Sequence, residues 1–238
     1  LDGTGRLLDV GCGPGSLTLL LAPLFTEVTG VDADPDMLTE AASLATSTAV
    51  RNATWRHLRA EDLPADLGGY RMVTFAQSFH WLDRARVAAS VHGMVEHGGT
   101  CVHVHATTHE GVTTDRVLEH PQPPRPAIAD LVRRYLGPVR RAGRGALPDG
   151  TASGEDEFYR AAGFRGPERL TVPGRVVHRS ADDVVASVFS LSSSTPQLFS
   201  DQLASFEAEL RQLLRDTSPT GMFSECHGEI AADIWRAS

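Results

Sequence analysis

The chain contains no lysine; all 22 of its basic residues are arginine, a bias from which no chemistry is read. Three other shortages narrow the possibilities. Cysteine is scarce, and Cys12, Cys101 and Cys226 lie far apart without a C-x-x-C spacing, so neither a disulfide framework nor a zinc site is indicated. No apolar run approaches the roughly 18 residues of a membrane-spanning helix, and no signal-peptide pattern is visible. A cytoplasmic location and no membrane partner are expected. Basic charge is also short: 30 acidic against 22 basic residues give a formal net charge of −8. That balance argues against nucleic acid as a partner, because DNA and RNA binding usually needs a basic field.

What is present begins at Leu7, where the chain reads LLDVGCGPGSLTLLLA. LLDV is a short buried-strand run, GCGPG a glycine-rich turn, and SLTLLLA restarts at helical spacing until Pro23. Gly11, Gly13 and Gly15 allow a tight turn and close approach of backbone to a ligand. A second strand, EVTGVD, ends on Asp32, 21 positions after Gly11. An acid about 20 residues past such a turn is placed to accept hydrogen bonds from two ribose hydroxyls. The dinucleotide fingerprint is G-x-G-x-x-G, whereas this turn is G-x-G-x-G. Asp9, at the strand end, would repel a pyrophosphate and attract a cationic ligand. A nicotinamide oxidoreductase is therefore disfavoured.

The acid followed by G-x-G-x-G resembles the first motif of class I S-adenosylmethionine-dependent methyltransferases. The resemblance is specific over residues 6 to 109 and loose beyond. It implies S-adenosylmethionine as cofactor, S-adenosylhomocysteine as product, and contacts from Asp9, Gly11, Cys12, Gly13, Asp32, Ala33 and Gln77. A residue like Met37 would pack on the adenine, and Asp62 would accept from its amino group, with Glu61 or Asp66 as substitutes. QSFHWLD, after the fourth strand, resembles the His-Trp or Gln-Trp step of small-molecule methyltransferases. That step makes His80 a candidate base and Trp81 a candidate substrate contact, its indole N–H donating to a carboxylate. His109, past the fifth strand, is a second candidate base. Family members usually carry helices ahead of the first strand, so a covering segment is expected to lie outside this sequence.

Alternation of strands and helices to about His109 predicts a doubly wound, mostly parallel seven-stranded sheet with an antiparallel last strand and a helical cap. Residues 1–110 are expected to form the cofactor-binding core, residues 111–163 a linker with helices, and residues 164–238 the last two strands with an inserted substrate cap. Four prolines between Pro121 and Pro126 predict a stiff extended connection. Ser153 and Asp156 have the spacing of a capping box. RLTVPGRVVHRS reads as one strand, SADDVVASVFSLS and SDQLASFEAELRQLLRDTS as helices, and EIAADIWRA as the final strand. His103 and His105 alternate along strand five and share a face. They lack a third ligand at a defined spacing, so no metal is expected. The arginines 125, 133, 134, 140, 141 and 144 read as a solvated face before an anion anchor.

Methyl transfer from a sulfonium is an in-line displacement governed by positioning. A carboxylate acceptor needs no base; a phenol or alcohol gains from a histidine. The expected reaction is methylation of a small molecule, with oxygen favoured over nitrogen or carbon. A second reading is a fold that binds the cofactor without transferring methyl.

Overall fold

The computed structural model describes residues 3–107, 109–138, 141–142, 145–146, 154–191 and 193–237. In chain order its strands are β1 (Arg6–Val10), β2 (Glu27–Asp32), β3 (Ala53–His57), β4 (Tyr70–Ala76), β5 (Val95–His105), β6 (Arg141–Ala142), β7 (Gly145–Ala146), β8 (Arg165–Val172), β9 (Val176–Ser180), β10 (Met222–Cys226) and β11 (Ile230–Arg236). The α-helices are α1 (Ser16–Leu21), α2 (Pro35–Ser47), α3 (Arg84–Met94), α4 (Arg125–Leu136), α5 (Glu155–Ala161), α6 (Ala181–Phe189) and α7 (Leu203–Thr217). None of the described helices is long and apolar enough to cross a membrane.

The chain forms two compact units. The first comprises Leu1–Ala106, Thr151–Thr171 and Ala231–Ser238. Its seven-stranded sheet has the order β3-β2-β1-β4-β5-β11-β8, with β1 to β5 parallel and β11 antiparallel to β5. β1 is central because helices cover both faces of a parallel sheet; Leu7, Leu8 and Val10 are all fully buried. Its neighbours β2 and β4 carry the chain in opposite directions across the sheet, which opens a crevice at their carboxyl ends. α2 starts on Asp34, which accepts from the Asp36 N–H, with Pro35 in the first turn. Leu38, Ala41 and Ala45 then give it one buried stripe. Beyond β4, Phe79 stacks on Tyr159 of α5 at 4.8 Å, and Tyr159 stacks on Trp235 of β11 at 5.2 Å. This apolar stack anchors the segment that follows β4.

The second unit comprises Thr107–Gly150 and Val172–Ile230. α4, α6 and α7 enclose Ile128, Leu131, Val184, Val188, Phe206, Leu210 and Leu214 together with Phe199 and Phe223. β9 and β10 pair antiparallel beside them. α6 opens with a complete capping box between Ser180 and Asp183. Glu225, 2% exposed, is held bidentately by Arg125 at 2.9 and 2.8 Å and also receives the Gly111 N–H. Burial opposes ionisation of this carboxyl, yet those bonds and the Arg125 and Arg179 charges hold it below the ordinary glutamate value. Arg125→Ala removes two charge-assisted bonds but leaves Glu225 with Arg179 and the Gly111 N–H, so a loss of about 1.5–3 kcal/mol is expected in urea unfolding.

Three expectations change. RLTVPGRVVHRS is two strands in different sheets, β8 in the first unit and β9 in the second. Pro173 has no N–H for a ladder, and Gly174 runs so close to the His227 carbonyl that a Cβ there would overlap it. The proline run is not wholly extended: α4 starts inside it, with Pro126 in the first turn, where a missing N–H costs nothing. Ser153 lies outside the described residues, and the N-cap of α5 is Gly154. Arg140 and Arg144 also lie outside them.

Candidate functional site

The glycine turn is built from both sides. Gly11 and Cys12 donate their N–H groups to the Val31 carbonyl at 2.9 and 3.0 Å, fastening the turn to β2. Gly11 has φ +68°, and a Cβ on it would lie 2.5 Å from the Ser78 Cβ. Ser78 is itself fixed, its hydroxyl donating to the Val10 carbonyl at 2.6 Å. Gly13 has φ +53°, and a Cβ there would meet nothing within 4 Å. The turn is thus packed at Gly11 and open at Gly13.

Asp32, at the carboxyl end of β2, completes the rim. One carboxylate oxygen accepts from the Gly13 N–H at 2.8 Å and the other from the Asp34 N–H at 2.9 Å. Each oxygen keeps a further lone pair. Ala33 beside it is exposed, its carbonyl 3.2 Å from His57 Nε2, and Met37 is half-buried. Gln77, just past β4, holds a left-handed φ of +59°, and its side-chain amide donates to the Ala106 carbonyl at 2.7 Å. Such a backbone in a non-glycine residue is sparsely populated and concentrates at functional sites. His80 and Trp81 follow in a short 3₁₀ turn (Phe79–Trp81). Phe79 takes the core position, and both rings stay half-buried, with centroids 5.4 Å apart.

Four of these residues have further partners within the chain. Asp9 is 2% exposed and lies beneath the turn, accepting from Thr18 Oγ1 at 2.6 Å and Thr74 Oγ1 at 2.8 Å. Burial raises its carboxyl above the usual value despite those bonds. Cys12 points a buried thiol inward, pushed up by burial and by the Asp9 and Asp32 carboxylates. Glu61 accepts from the N–H of Asp83, the N-cap of α3, at 3.1 Å and also pairs with Arg59; Asp62 is the exposed member of that acidic pair. His109 belongs to the second unit, where it lines an open pocket of about 540 Å³ with Val177, His178, Arg179 and His227.

The sequence reading missed Ser78, Thr18, Thr74 and Trp55, whose indole lies against Gly30. Each is an ordinary strand or loop residue in the sequence. Only position marked them: Thr74 is the register partner of Asp9, and Trp55 of Gly30.

His103 and His105 do share a face, their rings stacked at 4.4 Å. His105 Nε2 lies 3.0 Å from Asp233, which Arg169 clasps at 2.6 Å through both oxygens, while His103 Nδ1 is 3.3 Å from the Tyr159 hydroxyl. Burial first, and the neighbouring His105 second, push His103 down to about 4. The unfolded chain binds the proton near pH 6.5, so this stabilisation is complete above that pH and declines as pH falls toward 4. Over that window a loss of roughly 2–3 kcal/mol is expected in urea unfolding, and a smaller one in His103→Gln.

Residues 7–99 match the family model described as "Methyltransferase domain". An uncharacterised methyltransferase of Mycobacterium tuberculosis is 34% identical over 94 residues, covering 40% of this chain and 37% of that protein. A second from the same organism is 38% identical over 101 residues, covering 41% of this chain and 49% of that protein. The matched segments thus span less than half the length of these relatives. The crystal structure of the YcgJ protein from Bacillus subtilis superposes with a TM-score of 0.55 at 18% identity, covering 100% of this chain and 94% of that one. It shares the fold.

Proposed function

We propose that the chain, whose residues 7–99 match a methyltransferase-domain model, is a class I S-adenosylmethionine-dependent enzyme that methylates an oxygen of a small molecule, a carboxylate or a phenol or alcohol. The observation that carries the cofactor assignment is Asp32, fixed by the Gly13 N–H at 2.8 Å with lone pairs to spare for ribose hydroxyls. The open space above Gly13 suits a ligand that lies close to the backbone. Asp62, exposed, would accept from the adenine amino group, and Met37 would lie along the ring. Asp9 shapes the turn from below through its bonds with Thr18 and Thr74.

S-adenosylmethionine, when bound, supplies an electrophilic methyl group on a sulfonium. The chain's own work is to orient the acceptor and manage one proton. His80 would hold the proton of a phenol or alcohol acceptor, and Trp81 would donate its indole N–H to an acceptor carboxylate. A carboxylate is already ionised at neutral pH and needs no base. The −8 charge and the half-buried His80–Trp81 pair support a small acceptor over a nucleic acid.

The test begins with calorimetric titration of S-adenosylmethionine and S-adenosylhomocysteine, with micromolar binding expected. Acceptors are then screened by release of S-adenosylhomocysteine. For a phenol or alcohol acceptor, His80→Gln should lower kcat about 100-fold or more, and for a carboxylate it should change little. A folded chain that binds neither nucleoside overturns the reading.

A further inference from the structure

The second unit holds a donor cluster that methyl transfer does not use. Glu119 Oε1 lies 3.8 Å from His120 Nε2, and Glu119 Oε2 lies 3.9 Å from His178 Nε2. One donor atom from each of the three residues falls within 4.8 Å of the other two. The two imidazoles meet edge to face, with centroids 5.6 Å apart. At these separations the carboxylate hydrogen-bonds neither ring, yet both Nε2 atoms lie close around it.

We propose that Glu119, His120 and His178 bind a divalent transition-metal ion of the zinc class, leaving a coordination position open. Two imidazoles and one carboxylate suit zinc and its neighbours, whereas magnesium and calcium prefer oxygen alone. Bonds of about 2.0–2.1 Å in a tetrahedral arrangement set ligand atoms about 3.3 Å apart. Glu119 and His178 are exposed and the site sits on the surface, so side-chain rotation can draw the donor atoms in from within 4.8 Å to about 3.3 Å.

The backbone holds the two histidines in place. His178 in β9 is the register partner of Ser224 in β10. Ser224 is fully buried; its N–H donates to the Pro121 carbonyl at 3.1 Å, and its Oγ accepts the His120 N–H at 3.2 Å. The same Oγ lies 3.0 Å from His178 Nδ1. With Nδ1 donating to that oxygen, Nε2, 3.9 Å from Glu119, carries the lone pair, which is the tautomer a metal ligand needs. One buried serine therefore supports both imidazole-bearing segments, and the proline run begins directly after His120. His178 also lines the open pocket of about 540 Å³, an entry path for the ion. Arg179, next in β9, pairs with Glu225 at 3.0 Å.

The experiment strips the full chain with a chelator and titrates it with Zn²⁺ by calorimetry, then with Co²⁺ by visible absorption. One equivalent of Zn²⁺ should bind per chain, and bound Co²⁺ should show the strong visible bands of a site with fewer than six ligands. The His120→Ala/His178→Ala double variant should lose about 100-fold or more in affinity, and Glu119→Gln about 10-fold. Glu119 is exposed, so its variant keeps the fold and decides the matter even if the double variant unfolds. His109→Ala and His227→Ala should bind as before. Absence of stoichiometric binding overturns the proposal, as does binding unaltered by Glu119→Gln, or binding lost in His109→Ala or His227→Ala instead.

Discussion

Asp32→Ala is expected to weaken S-adenosylhomocysteine binding by roughly 100-fold or more, because two hydrogen bonds to a charged acceptor contribute about 1.5–3 kcal/mol each. The substitution also removes the acceptor of the Gly13 and Asp34 N–H groups, so the turn and the start of α2 lose a common fastening. Asp32→Asn separates the two effects. It keeps one acceptor oxygen but turns an amine toward an N–H that needs an acceptor, so an intermediate affinity is expected. Calorimetry reads the affinity and thermal melting reads the fold. Unchanged binding in the alanine variant would remove Asp32 from the cofactor site.

Gly11→Ala should cost the fold about 3 kcal/mol, combining a left-handed backbone, worth about 1–2 kcal/mol, with overpacking, worth about 1–3 kcal/mol. The new Cβ would lie 2.5 Å from the Ser78 Cβ. Ser78 has little room to yield, held by its bond to the Val10 carbonyl and by the buried Phe79 that follows it. A fall in Tm of roughly 6–12 °C is expected at this chain length. Gly13→Ala makes the opposite trade. Its Cβ meets no protein atom, so stability should drop by only about 1 kcal/mol. That Cβ would stand in the open face of the turn, and S-adenosylhomocysteine affinity should fall by about 10-fold or more while the melt changes little. Equal effects at both glycines, in both assays, would contradict this division.

The first half of the fold was legible because its signals are local. An apolar run, a glycine turn and an acid at the next strand end are each defined within a few residues, and their joint spacing restricts the topology sharply. The second unit offers no such anchor. Within RLTVPGRVVHRS both halves alternate in the same way; which sheet each joins is settled by β11 and β10, more than 40 residues later. The site shows the same limit. Glu61 and Asp62 are adjacent acids in one short turn, and only the Asp83 N–H, reached through β4 and its loop, separates their roles. Thr18, Thr74 and Ser78 matter through what their hydroxyls meet, which residue type alone does not announce. The Glu119, His120 and His178 cluster was hidden likewise, because Ser224 joins positions that are far apart in the sequence.

The place of β11 has a consequence for how the protein is made. It lies between β5 and β8, yet among the described strands it is the last in chain order. As the chain leaves the ribosome, β1 to β5 can assemble early, while the outer side of β5 stays an unpaired edge until residues 230–236 emerge. Exposed edges recruit other strands. β11 pairs with Thr100–His105 of β5, so the nascent chain carries a six-residue unpaired margin through the synthesis of the second unit. Trp235, 1% exposed in the finished fold, is among the last large side chains delivered to the core. Chaperone dependence is therefore expected to track the delay before β11 docks.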